Sequence, residues 1–318
     1  MGPVPSCSRL PKNAPIHPAH APGSREREYA NRPVTPSYEA VERLAHERLP
    51  SDVAEKWITL LRPAARLKYA RPGDSIVAEL GGQPSLHEDA IWPEWEGHGP
   101  LAFVCSIDCG ALASMQLDIA VPAAGRLAFF FIEYAADSPV TYQRPESLAG
   151  ARILYTPPGV SALPRSSPPR SKTHPRINLT AERIATYPNF EHPALIRAFR
   201  EPAEDRRKFL EHPVNDESFV EALWDLEIEP RHQVGGYATP VQGPVEYEVA
   251  IATRGGKPDW LDPSLEGEAI RWALLLQIDS DKIANMLWGD VGKLYWMIQP
   301  GDLRARRFDA VSFTWQCH

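Results

Sequence analysis

The chain has 318 residues, 43% of them hydrophobic as in ordinary soluble globular proteins, and its formal net charge at pH 7 is −7. A chain of this length forms one large domain or two small ones. The acidic balance and the lack of a long Lys/Arg run exclude an extended nucleic-acid-binding surface, because phosphate contacts need clustered positive charge.

Neither a membrane nor a metal partner is indicated. No segment approaches the run of about 18 apolar residues that a membrane helix requires. The N-terminus, MGPVPSCSRLPKNAPIHPAH, lacks the continuous apolar segment of a secretory signal. The cysteines, at positions 7, 105, 109 and 317, lack the paired spacing of a zinc site. The sequence therefore predicts a cytoplasmic protein without a cofactor.

The chain begins with a Pro-rich arm over residues 1–36, which predicts a disordered or extended segment. Helical periodicity starts at Ser37, where SYEAVERLAHERL places apolar residues on one face. After Pro50 the residues Ser51 and Asp52 offer an N-cap for a second helix, VAEKWITLL. We expect two short amphipathic helices here.

From Ala65 the periodicity changes to that of strands. The segments ARLKY, LAFVCSID, AGRLAFFFI and ARILYT are short, apolar and bounded by turn residues. Residues 157–176 are rich in Pro, Ser and Arg, which predicts an insertion that does not pack and that marks a boundary.

Residues 178–227 return to a helix-like pattern, and Asn215 is the expected cap of NDESFVEALWDL. Strand patterns then resume with RHQVGG, WALLLQI, KLYWMI and VSFTWQC. Three consecutive leucines in WALLLQI predict a strand buried on both faces. The alternation in KLYWMI predicts a strand with one face inward.

Four pairs of segments are similar and occur in the same order. LGGQP resembles VGGYA, PLAFVCSID resembles WALLLQIDSD, AGRLAFFFI resembles VGKLYWMI, and ILYTP resembles VSFTW. The sequence therefore predicts an internal duplication. The fold class is α+β, with two similar halves of mostly antiparallel sheet and packed helices. The first half spans about 37–156, the insertion 157–176 and the second half about 177–318, in one continuous body.

Several motifs together resemble the bacterial YwqG-like family, a family of unknown function. They are GGQP, the Trp92–Pro93 pair, GPLAFVCSID, HQVGGY…VQ, LLLQIDSD, WGDVGKLYWMI and QC near the C-terminus. The resemblance covers residues 37–318 and implies a duplicated α+β architecture. It places Ser106 where the family usually has a glutamine, which weakens any site in the first half. Some relatives lie beside toxin genes, which implies an immunity or antitoxin role with a toxin as partner.

The connection between WALLLQI and KLYWMI carries Asp279, Asp281 and Asp290. Oxygen-rich clusters bind hard cations, but the spacing is not that of an EF-hand. The same residues also act as caps and turn anchors, or contact a ligand or partner. We favour the structural role over ligand contact, and we predict no metal.

His232 and Gln242 flank a Gly-Gly loop, in which a histidine either fixes the loop or serves as an acid–base group in a cleft. Trp288 lies in a polar turn, where an exposed indole would anchor a partner. We expect a binding surface at one sheet edge, formed by His232, Gln242, Gln277, Asp279, Asp281, Trp288 and Asp290.

The sequence favours a cytosolic, non-enzymatic protein- or ligand-binding protein with an immunity-like role, because it has none of the common hydrolase signatures. The alternative is an enzyme or small-ligand binder with a cleft between the halves near His232. Sequence alone leaves both open.

Overall fold

A computed structural model describes residues 37–133, 145–201, 206–227, 230–255 and 263–318. The Pro-rich arm predicted over residues 1–36 lies outside the described residues. Within them, no helix is both long and apolar enough to cross a bilayer.

The described strands are short and pair only in antiparallel fashion. In chain order they are β1 (Arg62–Tyr69), β2 (Ala78–Leu80), β3 (Ser85–Leu86), β4 (Glu94–Trp95), β5 (Gly99–Pro100), β6 (Ala102–Asp108), β7 (Arg126–Phe131), β8 (Ala151–Thr156), β9 (Leu163–Pro164), β10 (Ile177–Thr186), β11 (His232–Val234), β12 (Ala273–Asp279), β13 (Lys293–Ile298) and β14 (Ser312–Gln316). Ten of these described strands form one sheet in the order β14-β13-β12-β11-β1-β10-β2-β6-β7-β8.

Helices surround this sheet. They are α1 (Tyr38–Arg48), α2 (Ser51–Ile58), α3 (Cys109–Ala113), α4 (Pro193–Phe199), α5 (Arg206–Leu210), α6 (Glu217–Trp224), α7 (Val245–Thr253), α8 (Pro263–Ala269) and α9 (Pro300–Arg304). Short 3₁₀ segments cover Pro145–Gly150, Pro213–Asn215 and Phe308–Ala310. The α+β composition with antiparallel strands agrees with the sequence prediction.

The centre of the sheet is the pair β1 and β10. Arg62 to Tyr69 pair with Thr186 to Leu179, and β1 also pairs with β11 on its other side. Outward from this pair, β2, β6, β7 and β8 follow on one side and β11, β12, β13 and β14 on the other. Strands from before and after residues 157–176 therefore belong to one sheet.

The two wings of the sheet fold toward each other over a common core. Phe129 of β7 packs edge-on against Trp296 of β13, with ring centroids 5.3 Å apart. Phe131 lies 5.2 Å from Phe313 of β14. The 3₁₀ turn at Phe308–Ala310 contacts β8, and the one at Pro145–Gly150 contacts β14. The sheet is thus nearly closed, and most of its apolar surface is inside.

Two further apolar clusters hold the helices. Val41 of α1, Trp57 of α2, Leu195 of α4 and Phe219 of α6 share one buried cluster, in which the Trp57 and Phe219 rings are 5.1 Å apart. Helices α7 and α8 pack on the outer face of β12 and β13 in the other cluster.

Three sequence predictions are wrong. The segment Ile177–Thr186 was predicted as helix-like but is the long central strand β10, because pairing with β1 outweighs the helix propensity of AER. The strand β13 is buried on both faces, since α7 covers its outer side. The insertion does pack in part: β9 pairs with β3, and His174 is 4% exposed.

Two predicted helix caps also differ. Helix α2 begins at Ser51 after Pro50 and has no side-chain cap, so neither Ser51 nor Asp52 caps it. Asp216, not Asn215, accepts the Ser218 amide at the start of α6. The residue at the N-cap position of α2 is Pro50 itself, which has no side-chain acceptor.

Candidate functional site

His232, at the start of β11, is 1% exposed and hydrogen-bonded through both ring nitrogens. Its Nδ1 accepts the Asp279 amide N–H at 3.2 Å. The proton therefore resides on Nε2, which donates to Asp281 Oδ2 at 3.0 Å. The same carboxylate oxygen accepts the Tyr69 hydroxyl at 2.7 Å.

Asp281 is held in its charged form by these donors. Burial raises the pKa of Asp281, but hydrogen bonds from His232, Tyr69 and the Ala284 amide outweigh burial and hold the pKa at about 2. Burial, together with the neighbouring Asp281 carboxylate, raises the pKa of the Tyr69 hydroxyl. Neither ring nitrogen of His232 is free to accept a proton from a substrate in this arrangement.

Asp281 also fixes the loop that follows it, which we define as residues 281–291. Its Oδ1 accepts the Ile283 and Ala284 amides at 2.8 and 3.0 Å. A β-bridge joins Asp281 to Met286. His174 Nδ1 donates to the Asn285 carbonyl at 3.0 Å, and its Nε2 contacts Glu133 at 2.8 Å. The 281–291 loop is therefore tied to the sheet and to the insertion.

The 281–291 loop exposes three large apolar side chains among the polar Lys282, Asn285 and Asp290. Ile283 is 61%, Leu287 59% and Val291 58% exposed. The side chain of Asp290 is also exposed beside them. Val291 has a φ of +50°, a conformation that costs a β-branched residue about 1–3 kcal/mol.

Trp288 faces inward, so its indole is not an exposed anchor for a partner. It is 2% exposed and packs edge-on against Phe131 and His174, each with ring centroids 5.8 Å away. The Ser280 hydroxyl accepts the Trp288 amide at 2.9 Å, which fixes the chain where the side chain enters the core. Trp288 supports the 281–291 loop from below.

Gln277 and Asp279 are adjacent on one face of β12. Both side chains are buried and hydrogen-bonded. Gln277 Oε1 accepts the Thr239 amide at 2.9 Å, and its Nε2 donates to the Thr239 hydroxyl at 2.7 Å. Asp279 accepts the Arg231 amide at 2.7 Å and lies 3.4 Å from Lys293 Nζ. Because N–H donors occupy these oxygens, Asp279 and Asp281 do not form a cation cage with the exposed Asp290.

Glutamines on three strands secure residues 235–243, which lie against this face of the sheet. Gln233 donates to the Gly235 and Tyr237 carbonyls at 2.8 and 2.9 Å. Gln316 accepts the Val241 and Gln242 amides at 2.7 and 3.0 Å and donates to the Gly243 carbonyl at 2.8 Å. With Gln277, these glutamines form what we call the glutamine clamp.

Gln242, predicted as a binding residue, belongs to the clamped segment. Its Nε2 donates to the Cys317 carbonyl at 2.6 Å. Gln233 and Gln316 were not among the predicted binding residues, although both lie in strands that are buried at every position, where a polar side chain needs a hydrogen-bond partner.

The sequence also missed Glu248, which is 3% exposed on α7. Its carboxyl accepts the Thr314 hydroxyl at 2.6 Å and the Gln316 side-chain amide at 3.0 Å. Burial raises the pKa of Glu248 to about 7, although these two hydrogen bonds oppose the rise.

A different group of metal-ligating side chains lies elsewhere. In the described part of the chain, His87, Glu88 and Asp89 bring ligand atoms within 4.8 Å of one another. His87 Nδ1 already accepts the Asp89 amide at 3.2 Å, and Asp89 is exposed. This arrangement is an ordinary polar turn, because one ligand atom is committed to the backbone.

Residues 78–317 match the family described as Domain of unknown function (DUF1963). The chain belongs to this family. The match includes His232, Asp281 and the glutamine clamp, but it begins after β1 and therefore excludes Tyr69. None of the curated proteins matches the chain.

Proposed function

We propose that this DUF1963 protein is a non-enzymatic binding protein that recognises a protein partner through the 281–291 loop. The observation that carries the proposal is the exposure of three large apolar side chains, Ile283, Leu287 and Val291, on one loop. Scattered apolar residues on a surface are ordinary, whereas a concentration on one fixed loop is typical of an interaction site.

The rigid backbone of the 281–291 loop also supports its role in binding a protein partner. Asp281, Ser280 and His174 hold its backbone through hydrogen bonds, and Trp288 fills the space beneath it. A loop already fixed in its binding conformation loses little entropy when a partner docks. The strained backbone at Val291 destabilises the folded protein, and a loop with only a structural role does not require that strain.

The predicted site residues fall into two groups in this proposal. Asp290 contributes a charge beside the apolar side chains, while His232, Asp279 and Asp281 form the rigid base below. Gln242 and Gln277 fix the neighbouring segment. Trp288 acts through the loop that it supports.

A more specific location, origin and role for the protein are part of the same proposal. The YwqG-like resemblance favours a cytoplasmic bacterial protein with an immunity or antitoxin role, whose partner is a toxin. The matching order of strands on either side of β1 and β10 supports descent from an internal duplication.

An enzyme with a cleft near His232 is the alternative. It has less support because Nδ1 and Nε2 of His232 are engaged by Asp279 and Asp281. Such an enzyme would have to break one of these bonds before the histidine could act.

A photo-crosslinking experiment tests the proposal. A photoreactive amino acid replaces Leu287, which is 59% exposed, in one variant and Leu163, which is 61% exposed, in a matched control. Each variant is coexpressed with the proteins encoded by the genes on either side of this protein's gene in the source genome. We expect one of these products to be crosslinked at position 287 and not at position 163. Equal crosslinking at both positions, or none at 287, would refute the proposed surface.

A further inference from the structure

A surface cavity of about 270 Å³ lies where β6 and β8 end and β7 begins. Its lining includes Asp108, Arg126, Thr156, Pro158, Val160 and Ala162. The register of the two wings explains why space remains there.

Corresponding positions in the two wings carry side chains of different size. In the second wing, Gln277 pairs with Gln233 and Tyr295 on the neighbouring strands. In the first wing, Ser106 occupies the same place, between Glu79 and Ala128. Ser106 and Ala128 are thus much smaller than the residues at the equivalent positions.

The next paired positions along the strands also differ in side-chain size between the two wings. Lys293 pairs with Gln316, whereas Arg126 pairs with Thr156. Gln316 and Gln277 fill the second wing by holding residues 235–243. Ser106 and Thr156 are too short to do this, and the cavity lies beside Thr156.

The cavity contains one base and one acid that are loosely paired. Arg126 lies 3.3 Å from the Ser106 hydroxyl, 3.8 Å from Glu79 and 4.0 Å from Asp108. Its side chain is 35% exposed and that of Asp108 is 45% exposed. Arg176 forms a closer ion pair with Glu79. Asp108 Oδ1 accepts the Ala111 amide at 3.1 Å, so Oδ2 is the oxygen that lies beside Arg126 and retains acceptor capacity, while Arg126 retains donor capacity.

From this geometry we infer that the cavity binds a small zwitterion, a free α-amino acid with an aliphatic side chain. The Arg126 guanidinium donates two parallel hydrogen bonds to the carboxylate, and Asp108 accepts from the ammonium group. The two charged groups of an α-amino acid are bonded to one carbon, so its carboxylate can contact Arg126 while its ammonium contacts Asp108 Oδ2, which lies 4.0 Å from Arg126 Nη2. Proline, valine and alanine side chains of the 157–162 segment form the apolar wall.

Backbone amide chemical shifts in a titration with L-valine test this inference, with N-acetyl-L-valine and L-valinamide as probes of each charge. We expect L-valine to shift the signals of Gly125, Thr156 and Val160. Each capped compound should bind at least about tenfold more weakly, since each lacks one charge-assisted contact. Absent shifts with L-valine, or equal shifts with the capped compounds, would overturn the inference.

Three variants complete the test. Arg126→Gln removes the guanidinium and should weaken L-valine binding at least about tenfold. Arg304→Gln removes an exposed arginine of α9 outside the cavity lining and should bind as wild type does. Thr156→Gln fills the cavity as Gln316 fills the other wing and should abolish binding, with the remaining amide spectrum unchanged. Wild-type affinity in Arg126→Gln or in folded Thr156→Gln would contradict the site.

Discussion

The protonation of the buried Glu248 is coupled to the stability of the fold. Its pKa is raised by burial to about 7, against 4.5 for a solvent-exposed glutamate. A raised folded-state pKa contributes stability that is present below about pH 4.5 and is lost as the pH rises through about 7. The wild-type protein should therefore lose about 2–3 kcal/mol of unfolding free energy from this group between acid and mildly alkaline pH.

The substitution Glu248→Gln removes this dependence, because the amide stays neutral and its oxygen still accepts from Thr314 or Gln316. Urea unfolding at pH 5 and pH 8 should give a smaller difference for the variant than for wild type. Equal differences would mean that Glu248 keeps the same protonation state in the folded and unfolded chains.

Trp288 is a structural residue in this account. Replacing it with alanine removes its contacts with Phe131 and His174 and should cost about 3–5 kcal/mol of unfolding free energy. The matched control is Leu287→Ala, at a side chain that is 59% exposed, which should change stability by less than about 0.5 kcal/mol. A thermal or urea melt distinguishes them, and equal stability of the two variants would place Trp288 outside the core.

At the scale of elements, the glutamine clamp joins the 235–243 segment to β11, β12 and β14. Gln316→Ala leaves the Val241 and Gln242 amides without their acceptor, and each unsatisfied amide costs about 1–3 kcal/mol. Hydrogen exchange of these two amides should accelerate, while amides of β7 remain protected. The exposed Gln83, which contacts Ser166, provides a control as Gln83→Ala. Unchanged exchange at Val241 would show that other contacts hold the segment.

The sequence predicted strands well where apolar side chains decide the structure. The edge and wing strands β6, β7, β12, β13 and β14 carry dense apolar runs, and each was expected. The central strand β10 was missed because AER favours a helix and only pairing with β1 reverses that preference. Long-range pairing leaves no local signal, so a single sequence does not reveal it.

The sequence indicated which polar residues form the candidate site, but not whether they are buried or exposed. The polar residues of HQVGG and LLLQIDSD were recognised as unusual, yet local sequence does not distinguish a buried polar network from a surface. Asp279, Gln277 and His232 satisfy one another or the backbone inside the protein. The exposed residues of the site, Ile283 and Leu287, were overlooked because they resemble core residues in sequence.

At the scale of the whole molecule, the fold extends beyond the family match. Strand β1 lies outside residues 78–317, but it separates β10 from β11 at the centre of the sheet. A fragment beginning at residue 78 loses the pairs of β1 with both neighbours and the buried Leu67. We expect this fragment to lack a cooperative thermal transition by circular dichroism.

The matched control for that fragment begins at residue 37 and keeps α1, α2 and β1. It should unfold cooperatively, since the described contacts of the sheet are all retained. A cooperative melt of the shorter fragment would show that the sheet closes without its central strand.

The central claim is that partner recognition depends on the exposed apolar side chains of the 281–291 loop. The most direct measurement is the affinity of the crosslinked partner for a variant carrying Ile283→Ser, Leu287→Ser and Val291→Ser. We predict at least about hundredfold weaker binding, because interface anchors typically cost 2 kcal/mol or more each, with an unchanged melting temperature. A control carrying Ile91→Ser and Leu163→Ser, at side chains 87% and 61% exposed, should bind as wild type does. Equal affinity of the loop variant and this control would contradict the claim.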